Sequence, residues 1–211
     1  GDVYKSQPGA VALLPSMPVT AYVAMIFGGL WFLLWKSAWR FGGVPLIILG
    51  GAWALVSPAP DILVTGDGQH MAIRQADGRL ALLRPRAGDY VRDIFNETSG
   101  LESEAGALDD LPTAWCNPDS CRTTIWSGGR QWRVFATRSS YYLPYPDLMA
   151  ECAAADIVVS DRRMPDGCTP RWLLADRGFL QEAGGLAIRL SPAHIETVLT
   201  PGDDRPWRRS Q

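Results

Sequence analysis

Few side chains in this sequence could carry acid–base or metal chemistry. His70 and His194 are the only histidines, and neither stands at metal-ligand spacing from the other. There is no G-x-S-x-G elbow, no phosphate-binding P-loop and no glycine-rich dinucleotide fingerprint. Gly66-Asp-Gly-Gln-His70 reads as a hairpin connection between two short strands. Asp156 and Asp161 flank the apolar run Ile157–Ser160, and acids at a strand end are where sites of α/β type gather. A charged turn leading into a cysteine loop accounts for the same residues and is preferred. Arg162, Arg163 and Arg171 cluster near Cys168, with Trp172, Tyr141, Tyr142 and Tyr145 close in sequence. Arginines interleaved with aromatics can cradle single-stranded nucleic acid, so Arg162, Arg163, Arg171 and Trp172 are the candidate DNA contacts. No catalytic, cofactor-binding or metal-binding residue is assigned, and no cofactor or small-molecule substrate is expected.

The four cysteines are more informative. Cys116 and Cys121 bracket Asn117-Pro-Asp-Ser, and Cys152 precedes Cys168 by one strand and one loop. Of the three pairings that four cysteines allow, Cys116–Cys121 with Cys152–Cys168 is favoured, because each bond closes a short loop. A zinc site would want paired C-x2–4-C knuckles or nearby histidines, and this spacing offers neither. Disulfides imply an oxidising compartment.

The composition is split along the chain. Before Asp61 the only charges are Asp2, Lys5, Lys36 and Arg40. From Asp61 onward there is no lysine, and 17 arginines face 21 acids. That balance argues against a general polyanion binder, since phosphate affinity comes mainly from unopposed cations. Pro18–Trp35 and Phe41–Ala59 are free of charge, and each has about the length a helix needs to cross a bilayer. The short Lys36–Arg40 connection predicts a two-helix transmembrane hairpin over residues 18–59. Its two cations and Trp31, Trp35 and Trp39 mark the cytoplasmic interface, which puts both ends of the hairpin outside. Gly28-Gly29 and Gly50-Gly51 offer flat surfaces for close helix packing.

After Pro58 and Pro60, strands are expected at Asp61–Thr65, His70–Arg74 and Arg79–Leu83, then a helix over Asp89–Phe95. Glu102–Pro112 is acidic and patternless and reads as a surface loop. Arg122–Trp126 and Gln131–Ala136 flank Ser-Gly-Gly-Arg as a further hairpin. A helix at Asp147–Ala154, a buried strand at Asp156–Ser160, a short element at Arg171–Leu174 and a helix near Arg177–Ala183 follow. Strands at Leu186–Leu190 and His194–Val198 complete the domain. The expected fold is a membrane protein fragment: a lead-in over 1–17, the hairpin, a small α+β, mainly antiparallel extracytoplasmic domain over 60–200, and a flexible tail over 201–211. Gly1–Gln7 does not look like a natural start.

Several stretches together carry a resemblance. They are Pro58-Ala-Pro-Asp-Ile-Leu-Val-Thr-Gly-Asp-Gly-Gln-His70, Ala76-Asp-Gly-Arg-Leu-Ala-Leu-Leu-Arg84, Arg86-Ala-Gly-Asp-Tyr-Val-Arg92, Ala155-Asp-Ile-Val-Val-Ser160 and Cys168-Thr-Pro-Arg-Trp172. The chain resembles the C-terminal region of the ComEC family, inner-membrane proteins of natural transformation that carry single-stranded DNA across the membrane. The resemblance implies a longer parent chain whose other transmembrane helices would be partners, together with the lipid bilayer and single-stranded DNA. It implies a multi-pass inner-membrane location with the C-terminal domain in the periplasm. It also implies a metallo-β-lactamase-like domain, which here is degenerate. The H-x-H-x-D-H loop does not occur, and the strand ending at Ser160 runs into Asp-Arg-Arg-Met-Pro165 instead of a histidine pair. The expected function is a non-enzymatic membrane part of a ComEC-like channel. The alternatives are a metal-dependent nuclease completed by residues outside this chain, or an envelope interaction module unrelated to DNA.

Overall fold

The computed structural model describes residues 17–85, 88–99, 105–139, 141 and 143–200. Nearly all of the lead-in, the whole C-terminal tail and Tyr142 lie outside the described residues. The chain divides into two compact units, one running to Ala59 and joined by Glu97–Glu102, the other formed by the rest.

In the first unit, α1 (Val19–Leu34) and α2 (Gly43–Val56) are joined by a 3-10 turn over Ala38–Gly42. They pack antiparallel, with Gly28 against Gly43 and Ile47, and Gly50 against Ala21 and Met25. Glycine is required at these crossings. A Cβ on Gly28 would lie 2.7 Å from the Gly43 carbonyl oxygen, and one on Gly50 would lie 2.9 Å from the Ala21 carbonyl oxygen. The Arg40 guanidinium lies over the rings of Phe32 and Phe41, and the Trp31 indole donates to the Trp39 carbonyl at 2.9 Å. Neither helix has a polar face. Leu33, Leu34, Leu55 and Val56 are all at least 75% exposed. The 19-residue stretch Ala38–Val56 is long and apolar enough to cross a membrane. The 16 residues of α1 span about 24 Å, short of a hydrocarbon core of about 30 Å.

The second unit is a small α+β domain built on two mixed sheets. The first sheet has the order β11-β10-β1-β2-β3-β4. Its strands are β1 (Ile62–Thr65), β2 (Met71–Arg74), β3 (Leu80–Leu82), β4 (Gly106–Ala107), β10 (Gly185–Leu190) and β11 (Ala193–Thr197). The second sheet has the order β5-β6-β7-β8-β9, made of β5 (Ala114–Cys116), β6 (Ser120–Ser127), β7 (Arg130–Thr137), β8 (Ile157–Val159) and β9 (Leu173–Ala175). Three helices complete it: α3 (Asp89–Ser99), α4 (Tyr145–Ala154) and α5 (Arg177–Ala183).

Alternation along the strands builds the core. Ile62, Val64, Ile73 and Ile188 of the first sheet meet Val134, Ala136, Ile157 and Val159 of the second in one buried cluster. On the second sheet's outer face, Phe135 and Val158 pack under Leu148 and Cys152 of α4. β8 is therefore covered on both faces and reads as an unbroken apolar run. The β6–β7 hairpin closes through Gly128 and Gly129 at φ 62° and 73°, the left-handed conformation that a two-residue turn of this type demands.

Two expectations change. Antiparallel pairs predominate, but β3–β4, β7–β8 and β8–β9 are parallel, so both sheets are mixed. The acidic stretch expected as a loop up to Pro112 contains β4 and a 3-10 turn over Leu108–Asp110, because the fully buried Leu108 anchors it to the core. β5 adds an edge strand to the second sheet beside β6.

The cysteines form two disulfides, Cys116–Cys121 and Cys152–Cys168. The first joins directly opposed residues of β5 and β6, and the second ties α4 to the loop before β9. Non-reducing peptide mapping should recover these two pairs. Replacing Cys152 and Cys168 together by Ala should lower unfolding stability by about 3 kcal/mol, the closure entropy of a loop this long. Recovery of crossed pairs, or unchanged stability, would refute the assignment.

Candidate functional site

The ends of both sheets meet where the parallel strands β7, β8 and β9 finish, the place where sites on parallel sheets usually form. Arg84 follows β3 and reaches across to the second sheet. Its Nε donates to the Arg138 carbonyl at 3.0 Å, and one terminal nitrogen donates to Asp161 at 3.0 Å. Both side chains of the Arg84–Asp161 pair are about 20% exposed, which concentrates their attraction. The Thr137 hydroxyl donates to the Ser160 hydroxyl at 2.9 Å, and Arg138 binds the Asp109 carboxylate with two nitrogens. The turn after β1 closes over this end, with Gly68 against the Ser160 carbonyl.

In that turn, burial works against the Asp67 charge. The Thr65 hydroxyl and the Gln69 N–H donate to the carboxylate and outweigh burial, so its pKa falls below the ordinary 3.8. The stability this contributes is complete above the unfolded carboxyl value and is lost as the pH falls through the lower folded value. His70 borders the turn, and its buried Nδ1 has no hydrogen-bond partner among the described residues.

At the opposite end of β8 stands Asp156, 2% exposed. Its carboxylate accepts from Arg130 at 2.7 Å and from the Arg133 backbone N–H at 2.9 Å. Its carbonyl accepts from the N–H groups of Trp172 and Leu173. Asp156 thus pins β7, β8 and β9 together. Both aspartates flanking β8 are held by arginines.

The four candidate DNA contacts do not share one patch. Arg162 follows β8, donates to the Tyr141 carbonyl at 2.9 Å and lies beside Asp161; Arg163 next to it is exposed. Arg171 donates its backbone N–H to Ala155, before β8 begins, so it and Trp172 stand at the other end of that strand. Trp172 is half-buried edge-on against Trp132, with ring centroids 5.0 Å apart.

The donor set does not fit the metals that a metallo-β-lactamase-like site would need. His70 lies at the Thr65 end of the first sheet, and His194, paired with Arg189, lies at the other end. The Asp161 carboxylate already has a guanidinium as its cation. Among the described residues, one group of three possible donors lies close together, Asp109, Cys116 and Cys121. Both sulfurs there belong to a disulfide, and the carboxylate belongs to Arg138. Comparison with family models, with curated proteins and with solved structures finds no match to this chain.

What the strand-end arrangement can do is hold the two sheets in register. Arg84→Ala should strand the Asp161 carboxylate and cost about 2 kcal/mol of unfolding stability. Arg84→Ala with Asp161→Ala should cost less than the two single changes added together, read by urea unfolding. Strict additivity would show that the pair is not coupled.

Proposed function

We propose that this chain is a non-enzymatic, membrane-embedded part of a ComEC-like channel carrying single-stranded DNA across a bacterial inner membrane. Its α+β domain stands in the periplasm. The observation that carries the non-enzymatic reading is the Arg84–Asp161 pair. At the strand ends where a hydrolase would gather ligands, the acid is neutralised by an arginine that also bonds the neighbouring strand's backbone.

The helical unit supports the membrane reading. Its apolar side chains point outward around both helices, and the cation–π and indole contacts among its described residues gather at the connection bearing Arg40. In water such surfaces would aggregate, whereas lipid tails accept them. The two disulfides support an oxidising compartment for the domain. Transport of DNA rests on the sequence resemblance.

Deleting this segment from its gene in a competent strain should abolish transformation and leave growth unaffected. Protease added outside spheroplasts should digest the chain beyond Asp61 and spare the helices. Undiminished transformation would end the DNA-uptake reading. Full protection of the domain in intact spheroplasts would end the periplasmic one.

A further inference from the structure

Two neighbouring concavities lie around β6, away from the strand-end cluster. One, of about 300 Å³, opens on the outer face of the second sheet between Trp115, Arg122 and Arg133. The other, of about 480 Å³, lies along β6 beyond the end of β5 and is lined by Trp126, Arg74 and Asp61. They share Thr113, Thr123 and Thr124 and so lie next to each other along β6, as the two halves of one groove-like surface.

Each half holds one exposed indole and one arginine outside any ion pair among the described residues, and each is also lined by one acid, Glu151 or Asp61. Trp115 is 55% and Trp126 70% exposed. The guanidinium groups of Arg133 and Arg74 form no ion pair or hydrogen bond with another described residue. Arg122 stacks at 4.2 Å over the Trp115 ring while pairing with Glu151, so it stiffens one wall. Asp61 is occupied by the Leu190 N–H at 2.7 Å.

We infer that this groove binds single-stranded nucleic acid, its bases stacking on Trp115 and Trp126 and its phosphates meeting Arg133 and Arg74. Indoles and unopposed guanidiniums are the two elements that a sequence-independent single-strand site combines. Two adjacent nucleotide-sized concavities suit a chain better than one small molecule. A lipid surface would call for aliphatic side chains to insert, and the large exposed apolar residues of the groove are its two indoles. A duplex keeps its bases stacked internally and cannot offer them to these rings. This site deepens the DNA-uptake reading, on which the choice of DNA over RNA rests, and it stands apart from Arg162 and Arg163.

The test uses the full chain in zwitterionic nanodiscs and a fluorescein-labelled dT15 oligonucleotide, read by anisotropy at several salt concentrations. Trp126→Ala should weaken binding by about tenfold or more, the usual loss for a stacking aromatic. Arg74→Ala with Arg133→Ala should weaken it and reduce the salt slope by about 1.4, for two lost phosphate contacts. Trp126 and Arg133 are exposed, Arg74 is half-buried, and none of the three side chains bonds another described residue, so folding should survive, as circular dichroism will verify. No binding of dT15 would overturn the inference, as would a duplex bound equally well. Loss on changing Arg162 and Arg163 to Ala, with none in the groove variants, would overturn it too. Binding as expected, in a chain whose deletion leaves transformation intact, supports the groove and removes the DNA-uptake reading.

Discussion

The second sheet depends on β8 being held at both ends by arginine–carboxylate contacts. Asp156 before the strand is almost wholly buried, and a carboxylate there is tolerable only when paired and hydrogen-bonded. Arg130 and the Arg133 N–H meet that need, and in doing so fix where β7 lies against β8. Asp161 after the strand is met by Arg84, which arrives from the first sheet and also bonds the backbone beyond β7. Between these two locks, Ile157, Val158 and Val159 are fully buried. Apolar burial drives the sandwich together, and the two ion pairs select one register within it. The same contacts give each acid an arginine as its counter-charge.

Local chemistry made much of this fold legible in the sequence. The Gly-Asp-Gly, Ala-Asp-Gly and Gly-Gly turns marked three hairpins, because positive-φ residues between short apolar runs have few other uses. The cysteine pairs were legible because their loops are short. Non-local features were not. β4 is two residues long and is held by Leu108, too little for any periodicity to reveal. Parallel pairing of β7, β8 and β9 depends on how α4 and the following loop cross the sheet. Arg84 and Asp161 are 77 positions apart, and nothing near either residue advertises the other. Arg162, Arg163, Arg171 and Trp172 looked like a cluster because they are close in sequence, but an intervening loop returns the chain to the start of β8. Arg74, Trp115, Trp126 and Arg133 are scattered over 60 positions and come together only through the strand order.

The helical unit follows a different physics. Its helices have no polar face, so their approach is set by shape, and glycine at positions 28, 43 and 50 lets backbone meet backbone. Gly29 and Gly51 face open space, leaving the outer surfaces smooth as well as apolar. A folded domain with its own core, staples and ion-pair locks thus follows a helical pair whose outward side chains are lipid-like.

The central claim is that the acids around β8 are structural, and metal stoichiometry tests it most directly. The full chain, incubated with zinc or manganese and then desalted, should retain far less than one ion per chain, and Asp161→Asn should retain no less. A stoichiometric ion that disappears with Asp161→Asn would contradict the claim and restore a hydrolase at the strand ends.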